Sequence, residues 1–145
     1  MKPLNEVKLT FLSRSANEGF ARTAAACFAA QLDPTLEEVN DVKTAVSEAV
    51  TNAIVHAYPD VLGTITMRLR ILEGRTLEVV VKDTGMGIPD VSKARQPLFT
   101  TGGEDRSGMG FTIMESFMDS LKVRSTPGKG TTVTLRRRFS PRLGA

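Results

Sequence analysis

Glu48, Asn52 and His56 follow one another at four-residue steps in the run Glu-Ala-Val-Thr-Asn-Ala-Ile-Val-His. On a helix such steps climb one side in a shallow spiral, so a carboxylate, an amide and an imidazole share one flank. The carboxylate can accept a proton, and the amide carbonyl is a hard oxygen ligand suited to Mg2+. Val42, Ala45, Val46, Ala49, Val50, Ala53 and Ile54 recur at three- and four-residue steps around the other arc. That is the stripe of a helix laid on a core, which puts the polar flank at the rim of whatever the helix covers. A solvated helix flank with one histidine at its boundary would read the same way, so the run needs partners elsewhere in the chain.

Two glycine-bearing segments offer them. Leu77-Glu-Val-Val-Val-Lys is a β-branched run that predicts a strand, and Asp83-Thr-Gly-Met-Gly-Ile-Pro follows directly. Asp83 falls where the strand ends, so its carboxylate can accept a hydrogen bond from a base amino group. Gly85 and Gly87 permit a tight turn and close backbone approach to a ligand. Ser107-Gly-Met-Gly-Phe-Thr-Ile-Met-Glu runs from Gly108, Met109 and Gly110 into a helical apolar pattern of Phe111, Ile113, Met114, Phe117 and Met118. Free N–H groups at such a helix start form an anion site fit for phosphates. Neither segment is a Walker loop, because no Gly-Lys-Ser/Thr follows, and neither fills a six-position Rossmann fingerprint. Either alone could be an ordinary glycine turn. The weight lies in their order: a helix with Glu and Asn, a strand running into Asp-x-Gly-x-Gly, then Gly-x-Gly opening a helix.

The elements that must position these groups follow from periodicity. Alternation of Val7, Leu9 and Phe11 predicts a strand over 7–12, and a helix is expected over 17–32 with Asn17 as its N-cap. Asp33-Pro-Thr breaks that helix; Thr35 opens the next, with Glu38 three residues on completing a capping box. This second helix carries Glu48 and Asn52 and is expected to end near Tyr58-Pro59. Strands over 63–72 and 76–82 flank Glu73-Gly-Arg, a hairpin signal. The stretch 97–107 lacks periodicity and reads as a mobile loop. A helix over 108–117 and a final hairpin, 121–125 with 131–138 around Thr126-Pro-Gly-Lys-Gly, complete the chain. The pattern predicts an α/β two-layer sandwich, helices on one face of a mixed, mostly antiparallel sheet.

Composition agrees. A chain of 145 residues with 41% hydrophobic content suits one domain, 1–145, with a single core. Apolar stretches are short and interrupted, so no signal peptide or membrane span is expected. The lone Cys27 excludes an internal disulfide and, in its Ala-rich helix, is expected to be buried and inert. The net charge of +3 owes much to Arg136, Arg137, Arg138 and Arg142, a basic end that could draw nucleic acid. Aromatic content is 6% and no reading module is visible, so a solvated strand end and no direct nucleic-acid binding are expected.

Together these segments make the chain resemble the GHKL nucleotide-binding superfamily, and within it the anti-sigma factor serine kinases. Ser47-Glu-Ala-Val-Thr-Asn-Ala-Ile-Val-His-Ala-Tyr resembles that family's N box, and Asp83-Thr-Gly-Met-Gly-Ile its first glycine box. Pro97-Leu-Phe-Thr-Thr and Arg106-Ser-Gly-Met-Gly-Phe-Thr-Ile-Met-Glu resemble its lid and second glycine box, and Gly130-Thr-Thr its last nucleotide-contacting strand. Ala57 stands where many relatives carry glycine, and Gly102-Gly103 is a departure within the lid. The resemblance covers nearly the whole chain.

The resemblance implies a Bergerat-type ATP site that uses ATP/ADP and Mg2+. It assigns Glu48 and Arg106 to catalysis, Asn52 to the metal, and Asp83, Gly85, Gly87, Thr100, Thr101, Gly108, Met109, Gly110 and Thr131 (or Thr132) to the nucleotide. It implies a cytoplasmic homodimer that holds a sigma factor, of sigma F type on overall similarity, and phosphorylates a serine of an anti-anti-sigma partner. Arg22, in Gly19-Phe-Ala-Arg, falls on the family's partner-contacting helix. The only histidine is His56, inside the N box, which speaks against an autophosphorylating histidine kinase. A general-stress (sigma B type) kinase, or a sigma-binding module that uses ATP without transferring phosphate, remain open alternatives.

Overall fold

The computed structural model describes residues 2–95 and 110–141. Five strands form one sheet: β1 (Asn5–Leu12), β2 (Thr64–Leu72), β3 (Thr76–Asp83), β4 (Ser120–Thr126) and β5 (Gly130–Arg138). Their order is β1-β2-β3-β5-β4, and every described ladder is antiparallel. The layer packed on one face consists of α1 (Ala16–Ala29), α2 (Leu36–Asn52) and α4 (Gly110–Phe117); a single turn, α3 (Val91–Ala94), lies between β3 and α4. The two-layer α/β sandwich expected from periodicity is the fold observed.

Alternation explains the sheet. Ile65, Met67, Leu69 and Ile71 of β2, Leu77, Val79 and Val81 of β3, and Val133 and Leu135 of β5 point to the helices and are buried. Against them lie Ala21, Ala25, Phe28 and Ala29 of α1 and Val42, Ala45, Val46, Ala49 and Val50 of α2. Small side chains on both helices let their axes approach closely over this core. The β2–β3 hairpin turns through Gly74 and Arg75, both left-handed with φ of 79° and 57°. The opposite face of the sheet is charged; there Glu78 is buried between Arg136 at 2.7 Å and Arg70 at 3.7 Å.

The capping box at α2 forms as expected. Glu38 N–H donates to Thr35 Oγ1 at 3.1 Å, and Thr35 N–H donates to Glu38 Oε1 at 2.9 Å. The other carboxylate oxygen of Glu38 accepts the Ser140 N–H at 2.7 Å, which ties the chain's last described turn to the start of α2.

Four expectations are corrected. Asn17 does not cap α1; Ser15 occupies the N-cap, and Asn17 Nδ2 donates back to the Leu12 carbonyl at 2.9 Å. Cys27 is exposed, because the packed face of α1 is set by Ala21, Ala25, Phe28 and Ala29, and residue 27 falls outside that arc. The α-helical winding of α2 stops at Asn52, and Ala53–Ala57 continue as a wider π turn. The arginines of β5 are not merely solvated. Arg136 pairs with Glu78, and Arg137 Nη1 donates to Asp41 Oδ2 at 2.8 Å and to the Phe117 carbonyl at 2.6 Å, joining α2, α4 and β5.

Candidate nucleotide site

The start of α4 is set against the polar flank of α2. A Cβ at Gly110 would stand 3.0 Å from Asn52 Nδ2, 3.2 Å from Asn52 Oδ1 and 3.4 Å from Glu48 Oε2. Carboxylate, amide and helix start therefore meet at one point, and the absent side chain is what lets them meet. Glu48 and Asn52 are both half-buried, at the rim of the core as their spacing demanded. His56 lies beyond the α-helical part, in the π turn, so the four-residue α-helical spacing that relates Glu48 to Asn52 does not carry on to it.

The second half of the site is built at the end of β3. Asp83 pairs in register with Ile65 on one side and Thr131 on the other, so its side chain points to the helix-covered face. It is buried, and burial pushes its carboxyl above the ordinary value of 3.8 against two N–H donors that pull it down. Those donors are Gly85 at 3.0 Å and Thr131 at 3.2 Å, both to Oδ1. Among the described residues Oδ2 has no protein donor, which leaves it available to a ligand amino group.

The glycine loop after Asp83 is held on both sides. Toward α2, Met86 N–H donates to the Ala57 carbonyl at 3.1 Å, and a Cβ at Gly85 would overlap that same carbonyl at 2.3 Å. Tyr58 Oη accepts the Thr84 N–H at 2.8 Å and donates to the Thr64 carbonyl at 2.9 Å. Toward the β4–β5 hairpin, Gly87 has φ of 77° and lies 2.3 Å, by its missing Cβ, from the Thr126 carbonyl. Only glycine reaches both that conformation and that approach. Gly128 N–H donates to the Met86 carbonyl at 2.6 Å, and Ile88 N–H to Ser125 Oγ at 2.7 Å.

The structure thus brings Glu48, Asn52 and Gly110 together, and Asp83, Gly85, Gly87 and Thr131 together. Thr132 is one residue out of phase with Thr131, so it points to the opposite face of the sheet. Thr100, Thr101, Arg106, Gly108 and Met109 lie outside the described residues. Arg22 is half-buried on a flank of α1, with its Nε 3.4 Å from Glu18. Sequence reasoning missed Tyr58 and Ser125. A cross-strand register drawn over the Thr126–Gly130 turn would have found Ser125, since it places that residue opposite Thr131.

Residues 11–137 match the histidine kinase-like ATPase domain family. Over 133 residues the chain is 62% identical to the anti-sigma F factor of Caldanaerobacter subterraneus subsp. tengcongensis, spanning 90% of this chain and 92% of that protein. The chain belongs to the anti-sigma F factor family. The factor of the same name from Geobacillus kaustophilus is 53% identical over 137 residues, 94% of each chain. Among solved structures, the RsbU and RsbW domains of a Mycobacterium tuberculosis protein superpose with a TM-score of 0.70 at 20% identity, covering 97% of this chain and 34% of that one. A histidine kinase domain from Erythrobacter litoralis gives 0.57 at 23% identity, over 84% and 61%. These two likenesses concern the fold. An ATPase domain of this family binds ATP or ADP, and the matched span runs from β1 into β5 across both halves of the site. No helix among the described residues is long and apolar enough to cross a membrane.

Proposed function

We propose that this chain is an ATP-dependent anti-sigma kinase: it holds a sigma factor of the sigma F type and phosphorylates a serine on an anti-anti-sigma partner. The observation that carries the reading is the meeting of Glu48 and Asn52 at Gly110. Phosphoryl transfer asks for positioned phosphates, neutralised charge and an oriented nucleophile, and that junction offers a group for each.

In this reading Gly108 and Gly110 present backbone N–H groups to the phosphates. Asn52 would hold Mg2+, which when bound would supply charge neutralisation at the phosphates. No group of three or more His, Cys, Asp or Glu that could hold a metal stands among the described residues. Mg2+ is typically held by one or two protein oxygens and completes its shell from phosphates and water, and the Asn52 carbonyl is such an oxygen. Glu48 orients the serine hydroxyl and takes its proton as the serine oxygen bonds to the γ-phosphorus. The bond from that phosphorus to the β–γ bridging oxygen breaks, and ADP leaves. Arg106 neutralises charge on the γ-phosphate, and Thr100, Thr101 and Met109 close around the nucleotide. Asp83 takes the adenine amino group on Oδ2, with Thr131 beside it.

The sigma F assignment rests on relatives of that name at 62% and 53% identity. Arg22 on α1 is the proposed sigma contact, and the proposed working unit is a cytoplasmic homodimer. The deciding experiment mixes the chain with γ-labelled ATP, Mg2+ and a purified anti-anti-sigma protein. Label is expected on a serine of that partner and absent from this chain. Stable label on His56, or no transfer despite ATP-dependent sigma binding, overturns the kinase assignment.

A further inference from the structure

We infer that Ser125 is a positioning residue for base recognition: its hydroxyl directs the Thr131 hydroxyl and pins the loop that follows Asp83. The inference deepens the proposed ATP site and rests on it. Asp83, Thr131 and Ser125 form one continuous cross-strand row over β3, β5 and β4. Thr131 N–H already donates to Asp83 Oδ1 at 3.2 Å, so the row is linked at its first step. Ser125 Oγ and Thr131 Oγ1 lie 2.8 Å apart, which links the second.

Proton counting allows the link two directions. Ser125 Oγ accepts the Ile88 N–H at 2.7 Å, and its single proton can go to Thr131 Oγ1 at 2.8 Å or to the Gly130 carbonyl at 3.1 Å. If it goes to Thr131, the Thr131 proton is released and that hydroxyl can donate to a ligand. If it goes to Gly130, the Thr131 proton is used on Ser125 and only a lone pair is left to offer. The 2.8 Å contact to Thr131 is a hydrogen bond in either arrangement, and a base that offers an acceptor to Thr131 selects the first. A base that gives its amino group to Asp83 presents, in adenine, the N1 acceptor next to that amino group. A donating Thr131 matches N1. Guanine carries a carbonyl where adenine carries the amino group, which sets it against the Asp83 carboxylate, and an N1–H where adenine has an acceptor, which forgoes the Thr131 donor.

The same hydroxyl supports the loop. Ile88 closes the segment containing Gly85 and Gly87, and its N–H would lose its partner if Ser125 lost Oγ. Base specificity and loop placement are therefore coupled through one atom.

Calorimetry on the full chain with Mg-ATP and Mg-GTP tests this, using Ser125→Ala and the near-isosteric pair Ser125→Thr and Ser125→Val. Ser125→Ala and Ser125→Val are expected to weaken ATP roughly tenfold and to narrow the ATP-over-GTP preference, since a lost hydrogen bond leaves neighbours unpaired. Ser125→Thr, which keeps the hydroxyl, restores both. If the Ala variant fails to fold, the Thr and Val pair decides. Unchanged affinity and preference in Ser125→Val overturns the inference and leaves the ATP site standing, as does equal weakening of both nucleotides. A wild-type chain that binds no ATP overturns the proposed function and this inference together.

Discussion

Gly110 and Asn52 are in such close approach that one methyl group at Gly110 would sit 3.0 Å from the Asn52 amide nitrogen. That is tighter than ordinary side-chain contact, so Gly110→Ala has to push the amide aside. Alanine is also the better helix former, by up to about 1 kcal/mol. The two effects act on different properties. Thermal stability of Gly110→Ala is expected to match or exceed wild type, while ATP affinity falls at least about tenfold. A thermal melt and a titration on the same sample separate them, and unchanged ATP affinity would remove Asn52 from the phosphate site.

Glu48→Gln tests the chemistry with the shape preserved. Glu48 is half-buried beside Gly110, and the amide can keep its packing while losing its ability to take a proton. General-base catalysis contributes ~10²–10⁴-fold, so transfer to the partner serine should fall by about that factor with ATP binding retained. Single-turnover transfer at wild-type rate would leave Glu48 without a catalytic part.

Asp83→Asn should separate stability from recognition. Burial raises the Asp83 carboxyl above 3.8, so the folded chain prefers it protonated more than the unfolded chain does. Stability therefore falls as pH rises through the window from 3.8 to the raised folded value, and the penalty persists at neutral pH. Asparagine keeps the oxygen that accepts Gly85 and Thr131 N–H groups and removes the charge. The nucleotide-free variant is expected to melt at or above the wild-type temperature at pH 7, with the difference shrinking as pH falls below 3.8. ATP binding should weaken and the ATP-over-GTP preference collapse, because the acceptor for the amino group is gone. Equal affinity of the wild type for both nucleotides would defeat the assignment.

Why some of this could be read from sequence and some could not is a matter of range. The α2 stripe and its capping box are local, set by residues three and four apart, and both formed as expected. The β-branched run before Asp83 likewise placed that residue at a strand end, while the choice of Thr131 over Thr132 needed the pairing register. The departure of α2 into a π turn after Asn52 has no such local signal. It goes with tertiary contacts that the sequence does not display: the Ala57 carbonyl accepting from Met86, and Tyr58 accepting from Thr84. Cys27 shows the same limit, since an Ala-rich helix gives periodicity too little contrast to tell its buried arc from its exposed one. Ser125 was readable only through register, which requires the Thr126–Gly130 turn to be counted correctly.

Glu38 offers a pH test of the fold that is independent of nucleotide. Burial would raise its carboxyl, but N–H donors from Thr35 and Ser140 and the Thr35 side chain outweigh burial and hold it below the ordinary 4.5. Its contribution is thus fully present above 4.5 and lost as pH falls through the lowered folded value. Glu38→Gln keeps a capping-box acceptor but gives up the charge, so it should lower the melting temperature at pH 7 by less than loss of the whole cap would. The gap between variant and wild type should close in strong acid. A gap that persists unchanged into strong acid would mean the carboxylate charge plays no part.

Arg22 decides whether α1 is the sigma-binding surface. Its guanidinium lies 3.4 Å from Glu18, one helical turn earlier, with 43% of the arginine side chain exposed. The two contacting atoms are buried although the arginine side chain is part-exposed, so the melting temperature of the variant is measured beside its binding. Arginine is also enriched at interface hot spots, where losing one typically costs more than 1 kcal/mol and often over 2. Arg22→Glu reverses the charge and sets it beside Glu18, turning the local field from neutral to strongly negative. Retention of the sigma factor in pull-downs should fall by tenfold or more, with ATP affinity and melting temperature close to wild type, because the site at Gly110 and Asp83 is built from other elements. Unchanged sigma retention would move the surface off this side of α1; joint loss of sigma and ATP binding would mean that the two sites are not separate.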